Sequence, residues 1–439
     1  MEATVDLEEK QQENFGANFE FHSPLSETGW PRWFELERSL NWRKFLEQPF
    51  PRRTDENWRF GDLRAVRLDG FRSSSLPRSS STILEQSKGF PNIAARVVFG
   101  NNVLLDMKIY DLPSNVVIQS LKKAAKEYKS LMQEHFLRNS VDLGSSKFRY
   151  LHVSQLNDGL LIYVPNGVKV EKPIEVFYWV DGENSSVFPH TLILMQEASS
   201  ATIIEHFRSF DGERALVCGV NDLHVSKRAN LQYFAVQEWS EKALAFHLNT
   251  THVEEEASVT TLSLNIGGGY VRGENVSHLR GEGARSLMLS INPVSGNRVV
   301  DQRTQQNHLS PGASSDLLYH NSLDEQARTI FAGLIKVAEG AHRTDAYQKV
   351  RNLILSDEAE ANSMPGLEIN ADQVRCTHGA TSGEINEEEL FYLVARGIPR
   401  SKARRMIVMG FFRSVLERIE DSCLQDYFEE IVKSHLNFK

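Results

Sequence analysis

Between about residue 145 and residue 385 the chain is written in short runs of β-branched and aromatic residues, among them ATIIEHF, LQYFAVQEW, SVTTLSLNI, SLMLSIN and TIFAGLIKV. Gly, Asn, Asp and Pro break these runs, and apolar runs bounded by turn residues predict strands. The runs also recur. A polar turn, an alanine and then a strand return at Ala198, Ala229, Ala257, Ala284, Ala313 and Ala341, at steps of 31, 28, 27, 29 and 28 residues. A period of this size marks a solenoid, a propeller or an array. Each copy holds two runs separated by a second turn, such as Gly267-Gly268-Gly269 or Pro293-Val294-Ser295-Gly296-Asn297. A propeller blade takes four strands in about 40 residues or more, so two strands per copy fit the coil of a β-solenoid. The alanine fits a tight inward corner where neighbouring coils stack closely. At about 4.8 Å per coil, about ten coils give a rod about 50 Å long. A sandwich with evenly spaced loops is the competing architecture.

Helical periodicity flanks this stretch. Residues 1 to about 70 read as helical, with Trp30, Trp33, Phe34, Leu40, Trp42 and Phe45 spaced for a buried face. The serine-rich run Ser73–Ser81 reads as a flexible linker or long loop, and Val116–Phe136 as one further helix. Past the strands, Asn386 is placed to cap a helix with Glu389 at its third position. Gly397 ends that helix and Pro399 opens the next. The second, from Ser401 to about Ile419, is expected to pack Met406, Ile407, Met409, Phe411, Phe412 and Leu416; a third carries Tyr427, Phe428 and Ile431. These helices are expected to cap the open end of the solenoid, dock a partner, or both. The reading divides the chain into a helical region with its connector at residues 1–145, a solenoid core at 146–385 and a helical domain at 386–439. A core starting as early as about residue 90 fits the same pattern.

Charge narrows the function. The 439 residues carry 49 basic and 58 acidic side chains, a net −9, which disfavours a nucleic-acid-binding face. The first fifteen residues hold five acids (Glu2, Asp6, Glu8, Glu9, Glu13) and one base, Lys10. A secretory signal needs a basic start and an apolar run of about 7–15 residues, and transit peptides are poor in acids. No stretch approaches the roughly 18 apolar residues needed to cross a bilayer. The expectation is a cytoplasmic protein that meets other proteins, with no membrane and no nucleic acid.

Three widely separated cysteines, Cys218, Cys376 and Cys423, form neither a disulfide framework nor a self-contained metal motif. Gly267-Gly268-Gly269 lacks the Lys and Ser/Thr of a phosphate loop, so no nucleotide hydrolysis is expected of this chain. The segment that stands out is Val374-Arg375-Cys376-Thr377-His378-Gly379-Ala380-Thr381, in the last expected strand. In an extended strand, positions i and i+2 share a face about 6–7 Å apart, which puts Cys376 and His378 side by side. Thiolate and imidazole suit iron–sulfur species, but a cluster usually takes four ligands. Two are half of a site shared between subunits, or a small buried Cys beside a hydrogen-bonded surface His. His206, His224, His247, His252, His278, His308, His320 and His342 scatter through the strands and are expected at surface or hydrogen-bonded core positions. The basic cluster Arg396, Arg400, Lys402, Arg404 and Arg405 is a solvated helix face or a docking surface for an acidic partner.

From Asp301 to Ile398 the chain closely resembles the SufB/SufD family of iron–sulfur cluster assembly scaffolds. The resemblance rests on Gln306-Asn307-His308-Leu309 with Pro311, Thr344-Asp345-Ala346-Tyr347-Gln348 and Arg351 through Glu360. It continues through Pro365, Leu367-Glu368-Ile369, Cys376 through Thr381, Glu389-Leu390-Phe391-Tyr392-Leu393 and Arg396-Gly397-Ile398. The chain is similar to the SufD branch, because Ala359 stands where SufB-like chains carry a scaffold cysteine. His378-Gly379-Ala380-Thr381 likewise replaces their His-Glu-Ala-Thr. Two stretches depart from the family pattern, His320-Asn321 after Tyr319 and Phe331-Ala332-Gly333-Leu334. The resemblance implies a right-handed parallel β-helix with N- and C-terminal helical domains. It implies partnership with a SufB-like scaffold and a SufC-like ABC ATPase, the latter gripping the C-terminal helices; a homodimer is a further option. It also implies a non-catalytic subunit with no tightly bound cofactor, and a transient iron–sulfur cluster shared with the partner through His378 and Cys376. Two other readings compete: a metal-free assembly platform, and a polysaccharide-cleaving β-helix of the exported kind.

Overall fold

A computed structural model describes residues 20–23, 29–73, 76–138 and 142–436. The N-terminal part contributes helix α1 (Arg32–Glu47), strand β1 (Arg72–Ser73), helix α2 (Ser80–Gln86) and strands β2 (Ala95–Gly100), β3 (Val103–Ile109) and β4 (Val117–Ser120). Helices α3 (Leu121–Glu127), α4 (Lys129–His135) and α5 (Ser146–Gln155) follow. Next come β5 (Leu160–Val164), β6 (Ile174–Val180), β7 (Ser185–Val187), β8 (His190–Met195), β9 (Ser200–Ser209), β10 (Ala215–Val225), β11 (Asn230–Glu238) and β12 (Leu244–Val253). The strands continue as β13 (Ser258–Asn265), β14 (Tyr270–Leu279), β15 (Arg285–Val294), β16 (Val299–His308), β17 (Ser314–Leu323) and β18 (Arg328–Val337). The last three are β19 (Asp345–Ile354), β20 (Glu360–Ile369) and β21 (Arg375–Glu384), before helices α6 (Glu387–Ala395), α7 (Arg400–Leu416) and α8 (Ser422–His435).

Consecutive strands alternate between two sheets. From β8 to β20 the even strands form one sheet, and from β9 to β21 the odd strands form the other; every neighbour in these runs is parallel. In the odd sheet Ser258 lies beside Arg285, Arg285 beside Ser314, Ser314 beside Asp345 and Asp345 beside Arg375. This is a β-solenoid of about eight turns with coils of about 29 residues. The expected architecture is present, with two coils fewer than the period alone implied.

The corner that made the repeat visible has a backbone cause. Arg228, Glu256, Gly283, Gly312 and Gly340 all hold positive φ, between 54° and 81°. Each precedes a buried alanine: Ala229, Ala257, Ala284, Ala313 or Ala341. The alanine N–H closes the turn, as from Ala229 to Ser226 O at 3.0 Å and Ala257 to Glu254 O at 3.1 Å. The first copy is displaced by one residue: Ala198 itself has φ 56°, and the buried corner residue is Ser199.

Inside the rod, side-chain amides form a ladder along the axis. Gln237 donates to Asn265 (2.8 Å), Asn265 to Asn292 (2.6 Å), Asn292 to Asn321 (2.6 Å), Asn321 to Asn352 (2.7 Å) and Asn352 to Ser382 (3.0 Å). Stacked identical amides satisfy one another at the strand spacing, which keeps these groups paired without water.

The flanking helices cover the outer faces of the two sheets. Phe148 and Leu151 of α5, with Phe45 of α1 and Trp58, pack on Leu216, Val220, Phe246 and Leu248 of the even sheet. Val408, Phe412, Val415 and Leu416 of α7 and Leu424, Phe428 and Val432 of α8 pack on Phe234, Val236, Leu262, Leu264, Leu289 and Ile291 of the odd sheet. Full burial of each such side chain contributes about 1.5–3 kcal/mol. The C-terminal helices therefore lie along the flank and leave the end of the solenoid open, so of the two expected roles, cap and docking site, the cap is absent.

Other expectations change in detail. Among the described residues the helical reading of residues 1–70 reduces to α1 and a single turn at Glu56–Trp58, residues 1–19 and 24–28 being outside the described set. The Ser73–Ser81 connector contains the start of α2, residues 74 and 75 being outside the described set. The single helix expected over Val116–Phe136 is strand β4 followed by α3 and α4, broken at Tyr128 (φ −119°, ψ 45°). Asn386 does cap α6, accepting from Glu388 N at 2.9 Å, and Gly397 takes φ 83°. Met406 is 45% exposed because Ala403, Val408 and Val415 form the buried face of α7 instead.

Candidate functional site

Strand β21 is the last of the odd sheet, and β20 the last of the even sheet. Each is ten residues long and paired on one side only, so the open end presents two rows of free backbone N–H and C=O groups. The register decides which side chains face the lumen. On β19, Ala346, Gln348, Val350 and Asn352 are buried, whereas Tyr347, Lys349 and Arg351 are exposed. Cys376 lies beside Ala346 and His378 beside Gln348, so both point with the lumen row. The structure thus brings the two residues singled out in the sequence onto one face of the terminal coil.

Their surroundings differ. Cys376 is half-buried against Ile335, Val337, Ala341 and Ala346. Burial first, and the nearby Asp345 carboxylate second, push its thiol pKa up. It is not a preformed thiolate in the isolated chain; a cation would have to displace its proton. His378 is exposed and lines a cleft of about 730 Å³ with Tyr347, Gln348, Lys349, Thr381 and Arg418. From β20, Leu367 (37% exposed) and Ile369 (40% exposed) leave apolar surface at the same end. Among the described residues no group of three or more His, Cys, Asp and Glu side chains is arranged to hold a metal ion.

The eight scattered histidines singled out in the sequence make ring or hydrogen-bond contacts within the structure. His206 meets Glu175 (3.2 Å), His308 meets Ser315 (2.8 Å), His320 meets Phe411 O (2.8 Å) and His342 meets Asp372 O (3.2 Å). His224, His252 and His278 stack face to face on the outside of the even sheet, with ring centroids 4.6 and 5.1 Å apart. His247 contacts Asn221 at 3.3 Å. Nothing in this set adds a ligand to the open end.

The basic cluster is largely spent on internal contacts. Arg396 lies over the Tyr392 ring at 3.7 Å, Arg400 pairs with Glu387 at 3.2 Å, Arg404 donates to Leu355 O at 2.8 Å, and Arg405 donates to Leu436 O. Sequence reasoning missed what lies beside it. In α6 only Leu390 is buried, leaving Phe391 73%, Tyr392 55% and Val394 38% exposed, and on α7 Met406 is exposed too. A nine-residue helix with one buried residue reads as amphipathic in sequence, and only the packing shows that its apolar side has no cover.

The described residues form a solenoid with free strand edges at one end and a thiol and an imidazole on one face of its terminal coil. Residues 178–411 match the family described as SUF system FeS cluster assembly, SufBD core domain, and residues 9–176 match the SufBD protein N-terminal region. The chain therefore belongs to the SufB/SufD family. Similar proteins include the iron–sulfur cluster assembly protein SufD of Bacillus subtilis (25% identical, covering 91% of this chain and 92% of the relative). Others are SufB of the same organism (27%; 87% and 84%) and SufD of Escherichia coli (28%; 90% and 93%). No helix among the described residues is long and apolar enough to cross a membrane.

Proposed function

We propose that the chain is a SufD-like scaffold subunit, without turnover of its own, of a cytoplasmic iron–sulfur cluster assembly complex. One observation carries the reading: a thiol and an imidazole share the lumen face of the last coil, where both strand edges are free. A SufB-like scaffold stacks on that end and supplies the remaining ligands, so that the nascent cluster is cargo held between two subunits. Ala359, at the corner before β20 and packed against the Val294–Leu323 cluster, has no thiol to serve as a cluster scaffold by itself, which supports the SufD branch.

A SufC-like ABC ATPase grips α6 and α7 at the patch made by Phe391, Tyr392, Val394 and Met406. Movement of α7 and the turn after it reaches β17, two strands in from the terminal β21, through the Arg418–Asp316 ion pair and the His320–Phe411 hydrogen bond. A stack of hydrogen-bonded coils is stiff along its axis, so a pull on the helices reaches the interface.

The test is anaerobic reconstitution of the isolated chain and of its complex, read by iron content and visible absorption. The isolated chain is expected to hold no stable cluster and the complex to hold one. His378→Ala should lower the cluster content of the complex; undiminished content would refute the role of His378. A complex that assembles fully and never takes up iron would support the metal-free platform instead.

A further inference from the structure

Directly beneath His378, one coil down, lies a side chain whose hydrogen bonding is unfinished. Gln348 is 2% exposed and adjacent to His378 in the parallel register. Its Nε2 donates to Gly333 O at 3.3 Å, which fixes the orientation of the amide. Its Oε1 is buried and has no hydrogen-bond partner in the structure. Gly333 leaves room for the amide in this position. A Cβ there would stand 2.6 Å from Gln348 Oε1 and 2.7 Å from Thr304 Oγ1. Buried acceptors are nearly always satisfied, and an orphan is costly. The Thr304 hydroxyl, also without a partner, lies on the facing sheet, and on the next coil, about 4.8 Å along the stack, the residue in register with Gln348 is His378, whose imidazole can donate. Gln348 and His378 line the same cleft.

We propose that Gln348 is the positioning residue for His378: a turn of the exposed imidazole lets Gln348 Oε1 accept one ring N–H and so aims the lone pair of the other nitrogen toward the open end. A ligating histidine commonly has its second N–H held by an acceptor, and loss of that acceptor typically lowers metal affinity 10- to 100-fold. The proposal rests on the assignment of His378 as a ligand, and the pairing itself is measurable without any cluster.

The experiment records imidazole ¹⁵N shifts of the isolated full chain, with the His378 signals assigned by their loss in His378→Gln. Wild type is expected to show one neutral tautomer of His378. Gln348→Met, which keeps the volume and removes the acceptor, is expected to show a tautomer mixture with thermal stability unchanged. Gln348→Glu restores an acceptor and should restore the single tautomer. In the complex, Gln348→Met should retain iron 10- to 100-fold more weakly, in line with the loss of a histidine-orienting group. A His378 tautomer ratio identical in wild type and Gln348→Met overturns the proposal. A ratio that responds, with iron retention unaffected by either Gln348→Met or His378→Ala, leaves the pairing standing and overturns the ligand assignment on which it was built.

Discussion

Asn292 tests whether the amide ladder holds the rod together. The residue is fully buried, accepts from Asn265 at 2.6 Å and donates to Asn321 at 2.6 Å. Asn292→Ala removes both bonds and strands one donor and one acceptor in a coil that water does not reach. At about 1–3 kcal/mol per stranded group the loss is about 2–6 kcal/mol. Asn352→Ala is the comparison. It strands the donor of buried Asn321, but its own donation goes to exposed Ser382, where water can replace it, so the loss should be about 1–3 kcal/mol, half that of Asn292→Ala. Urea unfolding followed by far-UV circular dichroism gives both values from the shift in midpoint at constant slope. The reasoning is refuted if Asn292→Ala lies within about 0.5 kcal/mol of wild type, the range of an ordinary surface change. Equal losses for the two variants would refute it as well.

Three further outcomes follow from buried ionisable groups and the uncovered helix. Burial raises the carboxyl pKa of Glu205, which Thr191 and Tyr233 contact at 2.5 Å. A carboxyl whose pKa is higher folded than unfolded stabilises at low pH and loses that contribution as pH rises. Wild type should therefore lose stability relative to Glu205→Gln between pH 5 and pH 8, as read by melting temperature; a constant difference would contradict this. In the histidine stack, burial lowers His224 and His278 to about 4 and His252 to about 2. Their contribution is present above the unfolded value of about 6.5 and lost as pH falls toward 4, about 2 kcal/mol per ring by pH 5. His252→Asn should soften the acid loss by that amount, measured by urea midpoints at pH 7 and pH 5. Finally, Phe391→Ser with Tyr392→Ser should weaken capture of the ATPase partner at least tenfold, since burying either ring is worth about 1.5–3 kcal/mol. Both rings are exposed, so the melting temperature should not move.

The coil was legible because its corner imposes a residue type at a fixed interval. Positive φ and a buried methyl leave a trace, Ala229 through Ala341, that survives drift elsewhere in the sequence. Where a serine takes the corner, at Ser199, the trace slips by one position. The amide ladder was equally periodic and went unread. Gln237, Asn265, Asn292 and Asn321 each stand eight residues beyond Ala229, Ala257, Ala284 and Ala313. Polar residues in strands read as solvent-facing unless their period is compared with that of the corners. The placement of the C-terminal helices was not legible, because amphipathic spacing tells that a face is buried and not what covers it. The complementary signal lies in the strands. Phe234 and Val236 add outward apolar positions to an already apolar lumen, whereas Lys349 and Arg351 take the outward positions near the open end. Cys376 and His378 were found because alternation in an extended strand is rigid. Gln348 was not, because its unfilled oxygen exists only in three dimensions.

The account depends on the terminal coil being the surface that a second scaffold covers. Hydrogen–deuterium exchange of the chain alone and in complex with a SufB-like partner measures this directly, amide by amide. Glu360–Ile369 and Arg375–Glu384 should gain protection on complex formation, while the strands from Asn230 to Val294, already paired on both sides, should not change. Protection appearing elsewhere, with these two edge strands exchanging as fast as in the free chain, would contradict it.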